Sequence, residues 1–249
     1  MTGNKKVAYS YDGLKQLIES YEVISFDIFD TLAMRTVYFN HDVFRVVGEK
    51  YRKFVPDFFN VRVCAEKELS KTSYPYIEKI YAYIKKVCGI SRKLAKEIMN
   101  YEIEVERRVI IARRDVVDIF NYCKKSGKRV YIVSDMYIHK EELEKILNNI
   151  GIVGYDKIFI SCEYDTSKHQ HLFENYKNEI KAQSYLHIGD NMLCDIESSA
   201  KYGIDGFRLM TSAEIWESMG GTVSECFEQR SKQAVYISEK YNSPFSVSG

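Results

Sequence analysis

The periodicity of hydrophobic residues changes twice along the chain, and these changes predict its domain organisation. Residues 21–25 form a short, largely apolar and β-branched run, which is typical of a buried strand. From residue 33 to about 126, apolar residues recur at three- and four-residue spacing, which predicts helices. Strand-like runs return at residue 129 and then alternate with helical segments. The pattern therefore predicts one mixed domain that is interrupted by a helical insertion.

The insertion is predicted to contain five helices and no strand. They extend roughly over 41–54, 58–72, 75–88, 91–112 and 114–126. Ser91 is the predicted N-cap of the fourth helix, and Gly89 is predicted to end the third. Residues 33–126 therefore form an all-helical cap domain in this prediction.

Residues 1–32 and 127–249 are predicted to form an α/β core. Its later strands are predicted at 129–133, 157–160, 185–188 and 206–209, and its helices at 140–149, 169–181, 192–202 and about 212–240, with a frayed tail over 241–249. Repeating strand–helix units favour a doubly wound parallel sheet with right-handed crossovers. Such sheets bind ligands beyond the carboxyl ends of their strands.

Positive and negative charges nearly cancel over the 249 residues, but they are unevenly distributed along the sequence. The net charge is +1, yet residues 33–126 hold 20 Lys and Arg against 12 Asp and Glu, which gives the insertion a charge of +8. One interpretation is that these charges occupy solvated helix faces. The other is that a basic module covers an acidic, cation-binding site and attracts anionic substrates.

Composition excludes several classes of protein. No apolar run approaches the ~18 residues of a membrane span. No basic stripe with interleaved aromatic residues indicates a nucleic-acid surface. The six cysteines are scattered without a C-x-x-C motif, and residues 1–6 lack an apolar leader segment, so a cytoplasmic protein with reduced thiols is expected. The sequence leaves the oligomeric state open.

Residues that can do chemistry fall where the predicted strands end. Asp27 and Asp30 follow the first strand, and buried carboxylates are costly unless they meet a cation or take part in a reaction. The later strands are followed in the same way by Ser134, Asp135, Lys168, Asp190 and Asp195. Two carboxylates near a glycine turn are hard oxygen ligands of the kind that suits Mg²⁺.

Four segments resemble the motifs of the haloacid dehalogenase-like (HAD) superfamily, in the same order. Phe26-Asp27-Ile28-Phe29-Asp30-Thr31-Leu32 resembles the first motif, and Leu186-His187-Ile188-Gly189-Asp190-Asn191-Met192-Leu193-Cys194-Asp195 resembles the fourth. Ser134 and Lys168 stand where the second and third motifs place a hydroxyl and a lysine. The helical insertion lies where many HAD phosphatases carry a cap.

The resemblance implies a role for each of these residues. Asp27 would be the nucleophile, assisted by Lys168. Mg²⁺ would be held by the carboxylates of Asp27 and Asp190 and by the backbone carbonyl of Phe29. Asp195 would complete this metal site through water or by orienting Lys168. The phosphate would be bound by Thr31, Ser134, Asp135 and Lys168, and the rest of the substrate by Arg35 and Asn191. The implied reaction is the hydrolysis of a small phosphorylated metabolite through an aspartyl-phosphate.

One position departs from the family pattern and leaves alternatives open. The usual general acid lies two residues after the nucleophile, where this chain has Phe29. Asp30 is the candidate replacement, provided that the chain turns just after Phe29, because adjacent strand residues point to opposite faces. The alternatives are a dehalogenase- or phosphonatase-like hydrolase without such an acid, or a non-catalytic binding protein of the same fold.

The complete first motif, with Arg35 three residues beyond it, looks like that of a bacterial group of HAD-like proteins linked to surface-polysaccharide biosynthesis. This resemblance favours a phospho-sugar or a phospho-polyol as the substrate.

Overall fold

The computed structural model of the protein describes residues 9–245 and contains a five-stranded parallel sheet flanked by helices. The strands are β1 (Val23–Phe26), β4 (Arg129–Ser134), β5 (Lys157–Ile160), β6 (Tyr185–Gly189) and β7 (Asp205–Arg208), in the spatial order β5-β4-β1-β6-β7. The predicted α/β fold class is confirmed.

The central strand β1 determines where the strand ends meet. Phe26, its last residue, lies level with Ile132 of β4 and with Ile188 of β6. Asp27 continues this pairing, because its amide donates to the carbonyl of Ile188 at 2.9 Å. The residues that follow β1, β4 and β6 therefore emerge together at one edge of the sheet, on either side of the central strand.

Outside the cap, residues 9–245 contain seven helices of four or more residues. They are α1 (Tyr11–Glu19), α6 (Arg114–Lys125), α7 (Lys140–Asn149), α8 (Ser161–Tyr164), α9 (Leu172–Glu179), α11 (Ser212–Ser218) and α12 (Phe227–Lys240). A π-helical segment (Met192–Glu197) continues into the short α10 (Ser198–Ala200). Of the helices among residues 9–245, none combines the length and apolar character that crossing a membrane requires.

These helices differ from the prediction in two places. Helix α1 was not predicted from the sequence. The single helix expected over about 212–240 is interrupted between α11 and α12, where Gly220 takes a left-handed φ of 81°. Gly221 packs so closely on the Trp216 ring that a Cβ there would lie 2.2 Å from ring carbons. The helix cannot continue through this turn.

The cap contains four helices, namely α2 (Asp42–Tyr51), α3 (Phe58–Leu69), α4 (Ile77–Cys88) and α5 (Arg92–Val109). Two predicted helix ends are confirmed. Ser91 caps α5, since its hydroxyl accepts from the amide of Leu94 at 3.1 Å, and Gly89 ends α4 with a φ of 64°.

The expectation of an insertion without strands is wrong at its two ends. The chain enters the cap through β2 (Ala33–Arg35) and leaves it through β3 (Ile110–Ala112), which pair as a short antiparallel ribbon. The two segments that connect core and cap run side by side, so their backbone N–H and C=O groups can hydrogen-bond to each other. The β-branched isoleucines of β3 favour an extended chain. The cap is therefore hinged on a two-stranded ribbon.

Helix α6 belongs with the sheet, although the sequence prediction assigned it to the cap. Its Phe120 is buried and packs edge-to-face on Phe26 of β1, with ring centroids 5.6 Å apart. The helical cap therefore ends near Ala112 and not near residue 126.

Cap and core share one continuous hydrophobic cluster. It includes Phe26, Ile132 and Ile188 of the sheet as well as Val47, Phe58 and Ile80 of the cap, all at most 2% exposed. The cap is thus packed on the core and not merely tethered to it.

The expected frayed tail is wrong for residues 241–245. Phe245 is buried, and its ring contacts those of Tyr9 and Tyr11 at centroid distances of 5.9 and 6.0 Å. Residues 246–249, and residues 1–6 on which the leader-segment prediction rested, lie outside the described residues.

His139 joins the cap to the core through two carboxylates. Its Nε2 lies 2.9 Å from Glu78 of α4, and its Nδ1 lies 2.9 Å from Glu163 of α8. Burial lowers the pKa of His139, but the two carboxylates outweigh burial and raise the pKa above its ordinary value of 6.5. The protonated imidazole can donate to both carboxylates at once.

This contact predicts a pH-dependent stability. Because the folded-state pKa of His139 is raised, its stabilisation is complete below the unfolded pKa and is lost as pH rises through the folded pKa. We expect His139→Gln to lower the melting temperature more at pH 6 than at pH 9. The control is His171→Gln, which removes a histidine that contacts Glu174 of its own helix. A loss that is equal at both pH values would contradict the prediction.

Candidate active site

The chain turns sharply after β1 and brings two aspartates to one side. The amide of Ala33 donates to the carbonyl of Ile28 at 2.8 Å, and Asp30 takes a left-handed φ of 53°. Non-glycine residues are uncommon in this conformation, although Asp and Asn adopt it more readily than most. Asp30 consequently lines the same cavity as Asp27. The turn that the sequence analysis required of Asp30 is present.

A buried arginine fixes this turn. The Arg113 guanidinium donates to three backbone carbonyls, of Asp30 at 2.5 Å, of Met210 at 2.8 Å and of Asn242 at 3.2 Å. Burial lowers the pKa of Arg113, although an arginine remains charged at neutral pH. The sequence analysis missed this residue, because nothing in its local pattern distinguishes it from a solvent-exposed arginine.

Lys168 lies at the centre of the site. Its Nζ lies 2.8 Å from Oδ1 of Asp27 and 2.5 Å from Oδ1 of Asp195, while its backbone amide donates to Asp135 at 2.9 Å. The side chain is buried. Burial lowers the pKa of Lys168, but the surrounding carboxylates outweigh this effect and raise it well above its ordinary value, so the ammonium remains charged.

The carboxylates outnumber the ammonium. Those of Asp27, Asp190 and Asp195 offer oxygens that all lie within 4.8 Å of one another. Burial and mutual repulsion raise the pKa of Asp27 to about 6 and that of Asp190 to about 8. Burial also acts on Asp195, but Lys168 and His187 together hold its pKa below the ordinary value. Three hard oxygen donors with excess negative charge fit a divalent cation.

Gly189 and the π-helical segment bring Asp190 and Asp195 together. The backbone amide of Asn191 donates to Oδ2 of Asp195 at 2.9 Å, and its side-chain oxygen accepts from the amide of Cys194 at 2.9 Å. A Cβ at Gly189 would lie 2.3 Å from Cγ of Asp195. Only glycine permits this approach, and π-helical turns often occur at functional sites.

A buried histidine, His187, contacts Asp195, and the sequence analysis assigned it no role. His187 Nε2 lies 3.1 Å from Asp195 Oδ1, and its Nδ1 lies 2.9 Å from the hydroxyl of Ser25. Burial lowers the pKa of His187, so the neutral ring donates to Asp195 and accepts from Ser25. The available signal was one polar residue in the middle of each of two apolar strands, and these two residues are partners in the register.

The hydroxyls of Ser134 and Thr31 are fully buried and contact carboxylates. Ser134 donates to Oδ1 of Asp27 at 2.8 Å, and Thr31 donates to Oδ1 of Asp190 at 3.5 Å. In the structure these hydroxyls orient the acidic cluster. Their contacts with a phosphate stay a prediction, and so does the metal contact of the Phe29 carbonyl.

The cluster opens into a cavity of about 410 Å³ between core and cap. The predicted residues Arg35, Asp135 and Asn191 line it. Arg35 stacks on the ring of Phe29, 3.9 Å from its centroid, and forms a bidentate pair with Glu106 at 2.9 and 3.2 Å. A larger cavity of about 720 Å³ lies beside His139, and none of the three clustered aspartates lines it.

The cavity lining decides between the two interpretations of the basic cap. The charged residues that the cap contributes to the lining, apart from His41, are Arg35, Glu66 and Glu106. Other basic residues of the cap are exposed to solvent, among them Lys53, Lys85, Lys86, Arg92 and Lys96. The interpretation that a basic face covers the site is wrong, because the cap presents its positive charge to solvent.

The contact between Gly189 and Asp195 predicts a clear asymmetry between two glycines. We expect Gly189→Ala to destabilise the protein by about 1–3 kcal/mol, because the buried Asp195 carboxylate cannot move aside. Gly48→Ala in α2 meets no atom closer than 3.5 Å and should stabilise it by about 0.5–1 kcal/mol through helix propensity. Urea unfolding measures both variants. Equal effects would show that the approach at Gly189 is not constrained.

Solved structures share this architecture. The magnesium-bound HAD-hydrolase YfnB from Bacillus subtilis aligns with 80% of this chain and 99% of its own, at 15% identity and a TM-score of 0.53. The 2-haloacid dehalogenase from Pseudomonas syringae aligns with 89% of this chain and 99% of its own, at 11% identity and a TM-score of 0.54. The L-2-haloacid dehalogenase from Xanthobacter autotrophicus aligns with 88% of this chain and 87% of its own, at 12% identity and a TM-score of 0.52.

In contrast, no protein-family model matches the chain, and no curated protein sequence matches it either. At identities this low, the likeness to the solved structures concerns the fold. The chain therefore has the fold of the haloacid dehalogenase-like hydrolases.

Proposed function

We propose that the protein is a magnesium-dependent phosphohydrolase that acts on a small phosphorylated metabolite through an aspartyl-phosphate on Asp27. The observation that carries the proposal is the cluster of three carboxylates around Lys168, which opens into a cavity at the strand ends. A buried site with this excess of negative charge favours a bound cation and, through it, an anionic substrate.

The residues present fit Mg²⁺. Its ligands would be the carboxylates of Asp27, Asp190 and Asp195, directly or through water, and the backbone carbonyl of Phe29. When bound, the ion supplies positive charge that offsets the carboxylates and the substrate phosphate. Magnesium binding by YfnB is a property of that protein, and it supports the proposal by analogy of fold only.

Asp27 is positioned to act as the nucleophile. Its Oδ1 accepts from both Lys168 and Ser134 at 2.8 Å, which leaves Oδ2 as the attacking oxygen. Attack on phosphorus forms the acyl phosphate and breaks the ester bond, releasing the alcohol. Water then attacks phosphorus, regenerates the Asp27 carboxylate and releases inorganic phosphate.

Other residues around the cavity bind and orient the substrate in this proposal. Lys168 contacts the nucleophile, and Asp135 lines the same cavity. Arg35 and Asn191 would contact the remainder of the substrate. A phospho-sugar or phospho-polyol suits a cavity of about 410 Å³ that is lined largely by polar side chains.

Removal of the nucleophile tests this proposal directly. We expect the wild-type protein to hydrolyse p-nitrophenyl phosphate with Mg²⁺ and to lose activity in EDTA. Asp27→Asn should lower kcat by roughly 10⁴-fold or more, since no covalent route remains. Asp118→Asn, at an exposed carboxylate of α6, is the matched control.

The same assay separates the alternatives. Activity that persists without a metal, or release of halide from a 2-haloacid, would favour the dehalogenase-like hydrolase. The absence of turnover on phosphate esters, phosphonates and haloacids would favour the non-catalytic binding protein.

Asp30 is proposed as the general acid that protonates the leaving oxygen. Its place on the turn, in the same cavity as Asp27, makes this role accessible. We expect Asp30→Asn to lower kcat by about 10²–10⁴-fold for alkyl phosphates and much less for aryl phosphates, whose leaving groups need no proton. A loss of equal size for both substrate types would show that Asp30 is structural.

A further inference from the structure

The cap contains a buried arginine that holds a carboxylate at the cavity. Arg62 of α3 is fully buried, and its Nε and Nη2 donate to the buried Glu102 of α5 at 3.0–3.2 Å. Its remaining nitrogen, Nη1, donates to Oε2 of Glu66 at 2.8 Å. Glu66 lines the cavity that contains Asp27. The arginine therefore fixes one oxygen of Glu66 and leaves the other, Oε1, available to a ligand.

The surroundings of Arg62 make this arrangement rigid. The guanidinium lies between two aromatic rings, 4.1 Å from the centroid of Phe44 and 4.6 Å from that of Tyr137. Glu102 also accepts from the hydroxyl of Tyr81 at 2.8 Å. A bidentate, stacked arginine loses little further entropy when a ligand binds. Glu66 is thus a preorganised acceptor.

The network of cap arginines contains one more carboxylate than it has arginines, because Glu66 shares Arg62 with Glu102. Arg62 is neutralised by Glu102, which is paired with it in the dry interior of the cap. Arg35, the other cap arginine that contributes to this network, is neutralised by Glu106 at 2.9 Å. The side chain of Glu66 is 40% exposed. The cap therefore presents one surplus carboxylate to the cavity, among the polar side chains of Asn40, His41 and Tyr74.

From this arrangement we infer that Glu66 selects the substrate, and that the part of the substrate outside the phosphate is hydroxylated and neutral or carries an ammonium group. A carboxylate accepts hydrogen bonds from hydroxyls and attracts ammonium, whereas it repels a second phosphate or a carboxylate. This inference rests on the proposed phosphohydrolase function and narrows its substrate class.

A matched set of three substrates tests the inference. Glucose 6-phosphate, glucosamine 6-phosphate and 6-phosphogluconate carry the same phosphate ester on six carbons and differ in a neutral, cationic or anionic group. We expect the wild-type kcat/KM for 6-phosphogluconate to be at least about tenfold below that for the other two. Comparable values for all three would overturn the inference.

Two glutamates of α3 provide the variants. Glu66→Gln keeps the shape and removes the charge, so it should raise kcat/KM for 6-phosphogluconate and lower it for glucosamine 6-phosphate, each by about tenfold. The effect is read as the ratio of the two kcat/KM values within one variant, so a general loss of activity cancels. Glu68→Gln, two residues further along and paired with Lys71, should change none of these values. Equal shifts in both variants would assign the effect to the general charge of the helix and would overturn the role of Glu66.

A wrong role for Glu66 can be distinguished from a wrong phosphohydrolase function. If p-nitrophenyl phosphate is not hydrolysed with Mg²⁺, the phosphohydrolase proposal fails. Calorimetric binding of the same three compounds then decides the inference by itself. Binding of 6-phosphogluconate as tight as that of glucosamine 6-phosphate would overturn the inference. Tighter binding of glucosamine 6-phosphate, with the preference reversed by Glu66→Gln, would support it.

Discussion

The ammonium of Lys168, held between Asp27 and Asp195, is the interaction on which the site depends. Without it, three clustered carboxylates would face one another, two of them buried, and removing one partner of a buried ion pair costs about 3–5 kcal/mol. The lysine contacts residues that follow β1 and β4 as well as the π-helical segment after β6. It therefore ties together the strand ends of one sheet edge. The residual negative charge makes the same cluster a ligand set for a cation.

The cap repeats this construction with arginines. Arg62 lies beneath the cavity wall and Arg35 at the hinge, and each is paired with a glutamate of α5, either Glu102 or Glu106. Tyr137 of the core donates to Glu106 at 3.0 Å and packs against Arg62, so the two pairs share one neighbour. Buried ion pairs add little stability in themselves but restrict geometry. The position of the cap over the site is set by these pairs together with the shared hydrophobic cluster.

The sequence predicts those features that local pattern encodes. The periodicity of hydrophobic residues locates the strand ends, and parallel pairing of the strands then brings Asp27, Lys168, Asp190 and Asp195 together. The left-handed turn at Asp30 could not be predicted, because Arg113, from a distant segment, enforces it. The support of Asp195 by His187 depends in the same way on a register between strands that lie far apart in the chain. Short-range patterns carry no information on such long-range partners.

The cap shows why a summed charge is a poor guide to a site. Residues 33–112 hold 16 Lys and Arg against 10 Asp and Glu, a net charge of +6, and most of these basic side chains are exposed to water, where interactions are screened over a Debye length of about 8–10 Å. Around the cavity, the two arginines of the cap network and their glutamate partners are buried, and charges in such surroundings interact more strongly than in water. Each of these arginines is paired with a glutamate of α5, and Glu66 is one further carboxylate at the cavity. The local field over the cavity is therefore opposite in sign to that of the segment that builds it, and discrimination between ligands follows the local field.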